Sequence, residues 1–113
     1  MPDALRRPGP ARIEHPALDE AALAVARQAD LVLAAARLRG LERWVAFFET
    51  VPDRLRDVPV TELRGVARRA RSAFGPKDSI REVLPVELTE PLREGLDRLL
   101  KALALDARKE RGE

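Results

Sequence analysis

The run ALDEAALAVARQADLVLAAARL, Ala17 to Leu38, decides what kind of molecule this is. Leu18, Ala22, Val25, Ala29, Val32 and Ala36 recur in alternating steps of four and three, the spacing that lines one side of an α-helix. On a helical wheel they fall within about 80° of one another. Leu23, Leu31 and Leu38 form a second stripe on the far side. Apolar area left in water forgoes roughly 25 cal/mol per Å², so a helix apolar on two sides is expected to be covered on two sides. The segment is therefore expected to be the central helix of a bundle or a helix that meets a second chain. Between the stripes lie Asp19, Asp30 and Arg37. Asp30, if covered, is expected to titrate high unless Arg27 or Arg37 pairs with it.

Helix punctuation extends the pattern toward the C-terminus. Gly40 ends or kinks the first helix. Leu41, Trp44, Val45 and Phe48 follow at helical spacing, and Pro52 is expected to stop that second helix, leaving Asp53 to Asp57 as one irregular turn. Pro59 opens a third helix over about Val60 to Phe74, with Leu63, Val66, Ala67, Ala70 and Phe74 on one side and Gly75-Pro76 closing it. Ser79-Ile80-Arg81-Glu82 matches the capping box, which starts a short helix that Pro85 must end. Thr89 is expected to cap a last helix with Pro91 in its first turn, buried along Leu92, Leu96, Leu99 and Leu103. No strand periodicity or hairpin turn appears.

The expected fold is all-α: a small antiparallel bundle of four main helices plus one short helix, in a single domain over residues 17–110. Residues 1–16 carry Pro2, Pro8, Pro10 and Pro16 with Gly9 and no period, and are expected to be a mobile tail.

Composition narrows the chemistry. The 113 residues include no cysteine, tyrosine or asparagine and one histidine, His15, in the proline-containing tail. Disulfides, thiolate nucleophiles and cysteine-ligated metals are thereby excluded. Glu90 and Glu94 stand one turn apart without the Glu-x-x-His that a di-metal helix would add, so neither a metal nor another cofactor is expected. No hydroxyl has a base placed beside it by the sequence, so no catalytic residue is expected. The apolar fraction of 45% suits a globular chain, and a net charge of +2 describes a solvated surface rather than a polyanion glove. No stretch reaches the roughly 20 apolar residues of a membrane span, and the first residues lack the apolar run of a leader peptide. The expected location is cytoplasmic, and the arginine-rich, lysine-poor vocabulary fits a GC-rich bacterial genome.

Two surfaces are candidates for contact. Leu23, Leu31, Leu38 and the off-stripe Leu105 suggest association through helix faces, joined by the aromatic cluster of the second helix. Arg64, Arg68 and Arg71 form a row on the third main helix, and Lys77 precedes a helix start, where backbone N–H groups favour an anion. The row could instead pair with acids of the last helix. The expected function is that of a non-catalytic helical protein–protein interaction protein, an adaptor or accessory subunit, contacting a second copy of itself or another protein. The alternative is a nucleic-acid-binding accessory protein working through the arginine row.

Overall fold

The computed structural model describes residues 12–110 and 112. Five α-helices lie wholly among these residues and follow one another: α1 (Pro16–Leu38), α2 (Glu42–Phe48), α3 (Val51–Asp57), α4 (Val60–Arg71) and α5 (Val86–Glu110). Two 3-10 turns, Ser72–Phe74 and Ile80–Glu82, lie between α4 and α5. There is no strand among the described residues. The all-α bundle is thus in place, with α1 and α5 as its long elements.

The α1 stripe reads as expected. Leu18, Ala22, Val25, Ala29, Val32 and Ala36 are all buried, with Ala26 and Leu33 beside them. Pro16 occupies the first turn, where its missing N–H costs nothing. Gly40 makes a true break. Its φ of 67° is the left-handed conformation glycine adopts without a Cβ clash. The Gly40 N–H donates to the Arg37 carbonyl at 3.1 Å and the Leu41 N–H to the Ala36 carbonyl at 2.9 Å, the bond pair of a Schellman motif.

Three boundaries differ from the sequence reading, two of them through proline. Pro52 is not the stop of α2, which ends at Phe48; it sits in the first turn of α3, so Asp53–Asp57 is helical rather than irregular. Leu55 of that helix is fully buried. Helix α5 begins at Val86 instead of Thr89, because the Pro85 carbonyl accepts from both the Leu88 and Thr89 N–H groups, at 3.0 and 3.1 Å. Pro91 then lies inside the helix, and the Thr89 hydroxyl, completely buried, donates to the Pro85 carbonyl at 3.4 Å. Third, α4 ends at Arg71 and tightens to a 3-10 turn that carries Phe74 into the core.

The capping box at Ser79 is realised on a 3-10 turn. Ser79 Oγ accepts from the Arg81 N–H at 3.1 Å, and the Ser79 N–H donates to Glu82 Oε2 at 3.0 Å. Asp78 just before it adopts φ 53°, a left-handed conformation that aspartate tolerates better than most residues.

Helix α1 packs mainly on α5 and α3, and α4 packs on α5. The fully buried large side chains of the core include Phe48, Leu55, Leu63, Ile80, Leu92, Leu96 and Leu99. Trp44 and Phe48 are buried and Phe47 half-buried, their rings 4.9 to 6.3 Å apart, with the Arg69 guanidinium 5.1 Å from Phe47. This aromatic cluster is core and not the contact surface expected of it.

Of the segment expected to be a tail, residues 1–11 lie outside the described residues; of residues 12–16, Arg12 is buried and His15 half-buried, while Ile13, Glu14 and Pro16 are exposed. Arg12 is 6% exposed. Its Nε donates to Asp19 Oδ1 at 2.7 Å, and its Nη1 donates to the Val58 carbonyl at 2.7 Å. His15 Nδ1 lies 3.1 Å from Asp106 Oδ1 on α5. Arg12 therefore ties the start of α1 to the α3–α4 junction. Removing one partner of a buried hydrogen bond costs about 1–3 kcal/mol, and Arg12→Ala is expected to lower the free energy of unfolding in urea by that amount. Equal midpoints for the variant and the parent would mean that this tie adds nothing to the fold.

Candidate interaction surface

Helix α1 turns its small side chains inward, which leaves its other side to water. Leu31 is 53% exposed and Leu38 86%, while Leu23 is half-buried at the edge of the stripe. Leu31 and Leu38 thus stand on one open face. Ala24, Arg27 and Ala34 are exposed on that face as well. A search for large apolar residues passes over them, although the two methyls and the arginine stem carry apolar area. The signal was there in their spacing from Leu31 and Leu38.

Leu105, 50% exposed, belongs elsewhere. His15 meets Asp106, and a Cβ placed on Gly95 would lie 3.1 Å from Val25 Cγ2, so α1 and α5 run antiparallel. Leu105 therefore sits beside the first residues of α1, about 30 Å from Leu38 at 1.5 Å per residue. The four leucines do not make one surface.

The arginine row is divided. Arg71 Nε donates to Asp97 Oδ1 on α5 at 2.8 Å. Asp97 also accepts from Arg93 Nη1 at 3.0 Å, and Arg93 in turn is hydrogen-bonded to Glu90. Arg71 is thereby committed to holding α4 against α5. Arg64 and Arg68 are exposed and make no ion pair among the described residues. Arg64 lines a shallow groove between α4 and α5 with Val60, Thr61, Leu103 and Asp106. Lys77 is exposed in the loop after α4.

The carboxylates are paired across elements. Asp30 is exposed and forms its ion pair with Arg56 of α3, rather than with Arg27 or Arg37 on its own helix. That hydrogen bond holds the Arg56 guanidinium above its ordinary pKa, with Asp53 and Asp57 adding attraction. The hydrogen bond from Arg93 holds the Glu90 carboxyl below the ordinary glutamate value. Among the described residues no group of three or more histidines, cysteines or acids is placed to hold a metal ion. The Ser72, Ser79 and Thr89 hydroxyls each bond to backbone.

Because the Glu90 pKa is depressed in the folded state, its ion pair stabilises above the unfolded glutamate pKa of about 4.3 and is lost as pH falls through the lower folded value. Glu90→Gln is expected to lower the urea midpoint at pH 7, and the difference from the parent is expected to be smaller at pH 3. A difference unchanged between the two pH values would mean that the Glu90 charge is not what the variant removes.

No protein-family model, curated protein or solved structure matches this chain.

Proposed function

We propose that this chain is a non-catalytic helical interaction module that associates with a second copy of itself through the outer face of α1. The observation that carries this reading is the contrast across one helix. Its inner residues are buried almost completely, while Leu31 and Leu38 stand open on the opposite side. Exposed single leucines are common, but Leu31 and Leu38 share one face with Ala34 between them and together make an apolar strip. The non-catalytic part of the reading draws on the pairing of the acids. Asp19, Asp30, Glu90, Asp97 and Asp106 each sit against a basic side chain that an acid–base role would need to release.

Sedimentation equilibrium from roughly 10 µM to 1 mM, the range suited to a small interface, tests self-association. The parent is expected to show a concentration-dependent dimer, and Leu31→Glu with Leu38→Glu is expected to be monomeric with an unchanged urea midpoint. A parent that stays monomeric throughout would leave this face without the partner proposed for it. A second reading, nucleic-acid binding, is favoured by one observation, the unpaired exposure of Arg64 and Arg68 one turn apart. If that reading holds, Arg64→Ala with Arg68→Ala weakens binding to DNA or RNA duplexes and flattens its salt dependence by about two phosphate contacts. Absence of binding at low salt removes it.

A further inference from the structure

We infer that the second copy lies antiparallel on α1, in one register fixed by Asp30 and Arg37. This rests on the self-association proposed above and adds the geometry of the contact. Ala24, Arg27, Leu31, Ala34 and Leu38 are all exposed and follow one another at steps of three, four, three and four. Those are the core positions of a two-helix seam. Asp30 and Arg37 occupy one flanking row of that seam, seven residues apart and opposite in sign. Arg37 makes no ion pair among the described residues, and Asp30, though held by Arg56, remains 48% exposed.

The charges select the orientation. In two parallel copies this flanking row faces the opposite row of the partner, which holds Gln28 and Ala35 here and offers no charge. In two antiparallel copies the row faces itself. Asp30 then meets the partner's Arg37, and Arg37 meets the partner's Asp30. The same register sets Leu31 against the partner's Ala34, a large side chain on a small one, and the two-fold repeats that pairing. It also lays the stem of Arg27 over the partner's Leu38. The guanidinium then lies at the C-terminal end of the partner's α1, where the helix dipole favours a cation. A two-fold contact requires a patch to be its own complement, and this one satisfies that in charge and volume together.

The chain has no cysteine, so single thiols report the register without background. Arg27→Cys and Leu38→Cys proteins are mixed and treated with a short bismaleimide. In the antiparallel register these positions face each other, whereas like positions lie about 16 Å apart along the axis at 1.5 Å per residue. The expected product is the mixed 27–38 crosslink, with little of either homodimer. Arg37→Glu is expected to raise the dimer dissociation constant about tenfold, since two symmetry-related pairs become repulsive. Homodimer crosslinks in preference to the mixed one would overturn the antiparallel register while leaving self-association intact. So would a dimer in sedimentation that Arg37→Glu does not weaken. No crosslink together with monomeric sedimentation would remove both this inference and the reading beneath it.

Discussion

The close approach of α1 and α5 is the contact on which the other packing depends. Ala22, Ala26, Ala29 and Ala36 are fully buried on α1, and Gly95 brings the backbone of α5 against Val25. Helices faced with such small side chains pack at the short end of the usual 8–10 Å interaxial range. The larger side chains then fill the space on either side of this pair: Leu55 from α3, Phe48 from α2 and Leu63 from α4. Small side chains also contribute little area each. A bundle built this way has less apolar burial per residue to hold it, and it leaves leucines on the outer side of the same helix unused.

Arginine–acid pairs supply the second layer of organisation. Arg56 joins α3 to α1 through Asp30, Arg71 joins α4 to α5 through Asp97, and Arg12 joins the start of α1 to Asp19 and to the α3–α4 junction. Exposed pairs of this kind contribute only about 0–1 kcal/mol each. Their effect is directional, since the planar guanidinium fixes how two elements face each other more than it adds to the total. Arg12 stands apart because it is buried, and its bond to the Val58 carbonyl replaces a water that the carbonyl would otherwise need.

What could be read from the residues alone was whatever local periodicity and punctuation encode. The α1 stripe, an interruption at Gly40 (though not whether it breaks or kinks the helix), the α4 stripe and the Ser79–Glu82 box all rest on neighbours within a few positions. Pro52 and Pro91 differ from the sequence reading for different reasons. A proline in a first turn costs the helix no hydrogen bond, and Pro52 falls in one. Pro91 falls further in, and Pro85 starts α5 ahead of it. The packing of Arg12 was out of reach, because Val58 is distant in sequence and an arginine among prolines gives no periodic signal. The same holds for Asp30, whose partner lies on α3 rather than one turn away. The outer face of α1 was half legible: its leucines stood out, while Ala24, Arg27 and Ala34 did not.

Trp44 gives the molecule an optical property. It is the one tryptophan in a chain without tyrosine, so the near-ultraviolet emission of the protein comes from a single indole. That indole is buried on α2 beside Phe47, with the Arg43 guanidinium 4.6 Å from its ring centre. Loosening of α2 from the bundle shifts the emission toward the red. The fluorescence of this protein is a gauge of one corner of its interior.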